Sequence, residues 1–201
     1  MTWIKTIPFS EARGRLRRLY DLIKGPDDNV DNIMMAHSLR PHTMEGHLSL
    51  YKNVLHHTSN KIPTWFLEVL GIYVSHLNAC AYCVEHHFTG LKRLLKDEVR
   101  ANKIKKAIIE DIPGGVFSDR ELAGLLYAGK LTKNPELIKE ADIEHLKATG
   151  WNDGEILEIN QVAAYFAYAN RTVLGLGITT EDDILGLSPK DSDDDKDWQH
   201  K

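Results

Sequence analysis

Two cysteines occur in this chain of 201 residues, and they stand three positions apart, as Cys80 and Cys83. His87 follows four residues after Cys83, and Glu68 precedes Cys80 across eleven residues in the segment EVLGIYVSHLNACAYCVEHHFTG. If a helix begins near Cys80, then Cys80, Cys83 and His87 share one face, because positions i, i+3 and i+7 recur together at about 3.6 residues per turn. A thiol in the first helical turn feels the positive end of the helix dipole, which favours the nucleophilic thiolate. A histidine one turn later can accept or relay a proton, and a glutamate on the preceding helix can orient that histidine or act as the base behind it. Together these groups suit cleavage of a peroxide O–O bond. Thiolate attack on one oxygen gives a sulfenic acid, a second thiol condenses with it to a disulfide, and the departing alkoxide takes a proton.

The elements that must position these groups read as helices. Pro63 opens one through Phe66, Leu67, Leu70, Val74 and Leu77. A break near Asn78 precedes a second, from Ala79 or Cys80 through Val84, Leu91, Leu94 and Leu95, so residues 63–97 hold the cysteine motif. Ser10 caps a first helix with Leu16, Leu19, Tyr20 and Ile23 on its apolar stripe, ended by Gly25-Pro26. Shorter helical stretches cover 33–38 and 41–55, and a basic amphipathic helix covers 99–109. Ser118 with Glu121 and Asn152 with Glu155 are capping-box starts, the second opening a long apolar helix to Leu174; between them a helix runs from Ile138 to Lys147, closed by Gly150. No alternating strand pattern appears, so the fold class is all-α.

Glu68–Ile72 and Glu158–Val162 open comparable apolar stretches, a pattern expected of two related helical halves, although Asn170-Arg171 stands where a second cysteine pair would fall. Residues 1–187 read as a single all-α domain with a soft boundary at Pro113-Gly114-Gly115. The remainder, 188–201, is charged, almost without apolar residues, and is expected to be a disordered acidic tail without chemistry.

Composition excludes several classes. With 25 basic and 29 acidic side chains the net charge is −4, which lacks the basic excess of a nucleic-acid binder. No stretch resembles a signal peptide or a membrane span, so a cytoplasmic location is expected. In that compartment a close cysteine pair points to catalysis or metal binding rather than to a structural disulfide.

Glu-x11-Cys-x2-Cys-x3-His resembles the signature of alkyl hydroperoxidase D-like proteins of the carboxymuconolactone decarboxylase family. The stretches MAHSLRPHTMEGHLSLYKNVLHH and QVAAYFAYANRTVLGLG are similar to its longer peroxidase-related subgroup. The resemblance covers most of residues 1–187. It implies a helical fold assembling as a homo-oligomer, trimer or hexamer, and hydroperoxide reduction with Cys83 as peroxidatic and Cys80 as resolving cysteine. It also implies a Glu68/His87 proton relay and electrons returned by a dithiol reductant of lipoyl type, with no cofactor. The best-studied type carries a second histidine immediately before the later cysteine, where this chain has Tyr82.

Other readings stay open at this level. Cys80, Cys83 and His87 have the ligand types of a zinc or redox-sensing site, though an obvious fourth ligand is missing. The wider family name suggests decarboxylation of a lactone acid, a reaction with no use for a dithiol. Tyr82 is a candidate pocket residue, as is His76, eight residues after Glu68. His86 is expected to face solvent. Cys80, at the extreme helix start, is expected nearer solvent than Cys83. Arg13, Arg15, Arg17 and Arg18 read as a solvated face or subunit contact, and Trp65 and Phe66 as core or interface. Tyr165, Phe166 and Tyr168 extend the last helix's apolar surface beyond one stripe, as subunit contacts would require.

Overall fold

The computed structural model describes residues 2–110, 115–194 and 196–200. Its helices are α1 (Gly14–Ile23), α2 (Asn32–Met35), α3 (Pro41–Leu55), α4 (Thr64–Leu77), α5 (Ala81–Leu95), α6 (Glu98–Ile109), α7 (Asp119–Lys133), α8 (Glu140–Ala148) and α9 (Asp153–Leu176). The described residues form no strand, and the class is all-α as the hydrophobic periodicity requires. Of the Pro113-Gly114-Gly115 breaker, Pro113 and Gly114 lie outside the described residues.

Helix starts follow local chemistry. Ser118 and Asn152 accept the backbone N–H groups of Glu121 and Glu155, and both glutamates reach back to the cap backbone. The first helix differs from expectation. Ser10 lies in a short 3₁₀ turn (Phe9–Glu11), and α1 begins only at Gly14, after an extended Arg13. Its stripe of Leu16, Tyr20 and Ile23 is buried as the periodicity demands. Arg15 pairs with Glu45, and Arg17 pairs with Asp21 while lying over the Phe9 ring, so these charges sit on a solvated face.

The centre of the molecule is α4, buried on almost every side, which packs against α5, α7 and α9. Helix α9 crosses it closely. A Cβ added at Gly71 would stand 2.2 Å from the Phe166 ring, so only glycine admits this approach. Gly71→Ala is therefore expected to lower stability by about 1–3 kcal/mol through overpacking, read as a fall in thermal midpoint. Tyr165 and Phe166 are buried inside the chain by this packing, at 4% and 0% exposure, so they are not the subunit surface expected of them; Tyr168 remains exposed at 40%. Phe66 is core, and Trp65 is partly buried beside the Arg100 guanidinium.

Helix α9 also runs unbroken through Tyr168–Asn170, the stretch that corresponds to the break after α4. The α4–turn–α5 unit therefore has no copy there. Residues from Ser188 onward depart from expectation too. The described ones, 188–194 and 196–200, fold back onto the domain, with Trp198 7% exposed and the buried Lys52 ammonium donating to the carbonyls of Lys190 and Asp197 at 2.8 and 2.7 Å. One tryptophan in a charge-rich stretch supplies the apolar anchor, and a lysine distant in sequence supplies the polar one.

Candidate active site

The turn between α4 and α5 is three residues long and sets the cysteines. Ala79 takes the left-handed conformation (φ 56°), which reverses the chain and leaves Cys80 as the N-cap of α5. The Cys80 N–H donates to the Ser75 carbonyl at 2.9 Å. Asn170 of α9 locks the turn, accepting from the Asn78 amide at 2.9 Å and donating to the Ser75 hydroxyl at 3.0 Å. Asn170 and Ser75 are fully buried.

The Sγ atoms of Cys80 and Cys83 are 3.1 Å apart, and both thiols are free. Hydrogen bonding with the Cys83 side chain holds the Cys80 pKa below the ordinary thiol range; burial opposes this, while the Cys83 backbone and Asn170 assist. Cys83 moves the other way, well above that range, because of its Cys80 partner first and its own burial second. Of the two thiols, Cys80 is therefore the more easily deprotonated and Cys83 the less. Position is divided the opposite way. Cys80 has no exposed surface, whereas Cys83 borders a cleft enclosing about 770 Å³, mouth included. The expectation that Cys80 lies nearer solvent is corrected here, because the turn tucks the N-cap residue under α9.

Glu68 and His87 border the same cleft and are joined through Oε2 and Nδ1 at 2.6 Å, Glu68 being 1% exposed. An ionised Glu68 accepts from Nδ1–H, which turns Nε2 into the nitrogen able to take a proton. The ring is wedged edge-on against Phe166 at 4.6 Å. Among the described residues His87 has no direct hydrogen bond to Cys83; both reach the cleft, where one bound molecule can meet both.

These geometries have counterparts among solved structures. An uncharacterized peroxidase-related protein from Ralstonia eutropha JMP134, described as an alkylhydroperoxidase AhpD core, is 20% identical with a TM-score of 0.77, covering 89% of this chain and 91% of its own. The chain has the alkylhydroperoxidase D fold. A peroxidase-related protein from Silicibacter sp. TM1040 matches it at 20% identity and TM-score 0.76 over 89% and 91% of the two chains. The debrominase Bmp8 shares the alkylhydroperoxidase D architecture at 19% identity and TM-score 0.67, over 89% and 90%. Neither a protein-family profile nor a curated protein sequence matches the chain.

On this alkylhydroperoxidase D scaffold the chain builds a second polar group into its cleft, and sequence reading missed most of it. Tyr82 does border the cleft, but its hydroxyl donates to Asp183 Oδ2 at 2.7 Å and accepts the Ile33 N–H. His86 is buried, its ring tilted 31° against that of Tyr82 at 4.4 Å with Nε2 3.3 Å from Asp183 Oδ2, which corrects the expectation of a solvated ring. The physical reason is the segment after α9, which folds over this face of α5. His76 does not border the cleft. Eight residues turn a helix about 80° past two full turns, which rotates His76 away from Glu68. No group of three or more His, Cys, Asp or Glu side chains among the described residues is arranged to hold a metal ion.

Burial pushes the Asp31 carboxyl, also on the cleft, up to about 6; His86 opposes the shift and Asp183 adds to it. The folded pKa lies above the unfolded one, so this group's contribution is fully present below pH of about 4 and is lost as pH rises to about 6. His47, lowered to about 3 by burial first and by His37 second, works in the opposite sense and costs stability as pH falls below the ordinary histidine range. A substitution isolates the first effect. Asp31→Asn is expected to stabilise the chain by about 1–3 kcal/mol at pH 8 and by nothing below pH 4, measured by urea unfolding.

Proposed function

We propose that this protein is a thiol-dependent peroxidase that reduces hydroperoxides with the Cys80/Cys83 dithiol. The observation that carries the reading is the convergence of Cys83 and the Glu68–His87 pair on one cleft, with the Cys80 sulfur 3.1 Å behind Cys83. Cys83 is the thiol that meets substrate. Its proton passes to the His87 Nε2 side of the relay, and its sulfur attacks the terminal oxygen of ROOH. The O–O bond breaks, Cys83 becomes a sulfenic acid, and RO⁻ leaves as ROH with the proton held by His87. The Cys80 sulfur then attacks the Cys83 sulfur as its thiol proton passes to the departing hydroxide, which leaves as water while the S–S bond forms. An external dithiol of lipoyl type returns two electrons and two protons. Location in the cytoplasm suits this cycle, and no described helix is long and apolar enough to cross a membrane.

A second reading follows from the likeness to the debrominase Bmp8, of which a complex with 2,3,4-tribromopyrrole is known. There the electrophile meeting the dithiol would be a halogenated ring rather than a peroxide. The decarboxylase and zinc readings draw no support from the cleft, where Cys83 stands with Cys80 behind it and no ligand set is gathered among the described residues. Steady-state turnover with dihydrolipoamide as reductant separates the first two. Consumption of cumene hydroperoxide supports the peroxidase, whereas inert peroxides with bromide release from tribromopyrrole would replace it.

A further inference from the structure

One wall of the cleft comes from outside the helical bundle. Leu187, Pro189, Trp198 and His200 all border it. This C-terminal strap is anchored at several points. The Lys52 ammonium, 1% exposed, donates to the Lys190 and Asp197 carbonyls. The Ser192 N–H donates to the His56 carbonyl at 2.9 Å, and the His200 ring meets the Ile23 carbonyl at 3.0 Å. The strap doubles back on itself where the Lys190 N–H donates to the Gln199 carbonyl at 2.8 Å. Lysine is almost never fully buried without partners, so this burial ties a core helix specifically to the docked strap.

The strap delivers one large apolar side chain to the site. Trp198 stacks on Tyr51 at 6.1 Å and 28°, and the Tyr51 ring lies 6.4 Å from that of His87. Leu48, Ile33 and Leu187 continue the apolar lining. Hydrogen peroxide has no apolar surface to bury against such walls; a ring-bearing hydroperoxide does.

We propose that Trp198, held in place by the strap, is a specificity-determining residue that selects ring-sized apolar organic hydroperoxides over hydrogen peroxide. The inference rests on the thiol peroxidase reading for its chemistry, though not for its binding. Trp198 presents apolar surface beside the relay, and Lys52 fixes the strap that carries it. The ratio of kcat/KM for cumene hydroperoxide to that for hydrogen peroxide is expected to fall about tenfold in Trp198→Ala, a value in keeping with loss of one aromatic contact. Trp198→Phe should restore most of it. Lys52→Met, which leaves the tryptophan intact and loosens its strap, should lower the ratio in the same direction.

The binding arm uses cumyl alcohol, which cannot be reduced, with calorimetry on the full-length folded proteins. Weaker binding to Trp198→Ala than to wild type upholds the role of Trp198, even if no peroxide is ever consumed and the peroxidase reading fails. An unchanged peroxide ratio, or equal cumyl alcohol affinity in wild type and Trp198→Ala, overturns the inference while leaving the peroxidase reading standing.

Discussion

Replacing Cys83 by serine is expected to reduce hydroperoxide consumption to the uncatalysed background, whereas replacing Cys80 leaves one round of attack. The difference follows from position. Cys83 borders the cleft and Cys80 does not. In Cys80→Ser the Cys83 sulfur still meets peroxide but has no partner 3.1 Å away to condense with, so a sulfenic acid persists on Cys83 and a dimedone adduct can be mapped there by mass spectrometry. Cys80→Ser also removes the neighbour chiefly responsible for raising the Cys83 pKa, so the single attack should be no slower than in wild type. Cys80 is the more easily deprotonated thiol, but ease of deprotonation does not make it the attacker. A buried thiol away from the cleft meets no peroxide, and its place suits the second step, on Cys83 itself. If Cys83→Ser consumes one equivalent of peroxide and Cys80→Ser consumes none, the two roles are exchanged.

The second large effect concerns the relay. His87→Ala is expected to slow peroxide reduction by about 10²–10⁴, the usual cost of losing a positioned acid–base group. Glu68→Gln should fall toward the lower end, because an amide oxygen still accepts from Nδ1 and holds the ring, while the negative charge that stabilises the imidazolium is gone. The two groups act as one unit, so the double variant should lose little more than His87→Ala alone. Stopped-flow peroxide decay under single-turnover conditions measures all three, with iodoacetamide alkylation of Cys83 at pH 7 as a substrate-independent check. Wild-type rates in both assays for His87→Ala would remove the relay from the mechanism.

Much of this arrangement is legible in the chain. The breaks at Pro63 and Asn78 and the start at Cys80 emerge from local rules, and those rules bring Cys83, His87 and Glu68 to one cleft because the intervening turn is short. What is not legible depends on contacts across the sequence. Asp183 accepts from Tyr82, 101 positions away, and Lys52 holds carbonyls about 140 positions on, so neither partner announces itself in a local window. His86 looks solvated until the segment after α9 covers it. Asn170 looks like a mid-helix polar residue, and only the crossing of α9 over the α4–α5 turn makes it a brace for the cysteines. The tail misleads through composition: its acidic residues dominate the average, while Trp198 and the Lys52 contacts that dock it leave no mark on that average.

The most direct test of the central claim is a count of free thiols, with intact mass, after adding one equivalent of cumene hydroperoxide to fully reduced wild-type protein. The mechanism predicts that both thiols disappear, the mass falls by the two hydrogens of a Cys80–Cys83 disulfide, one equivalent of cumyl alcohol is released, and reduction restores both thiols. Two thiols still free with the peroxide unconsumed, or one cysteine carried to sulfinic acid while the other stays reduced, would contradict it.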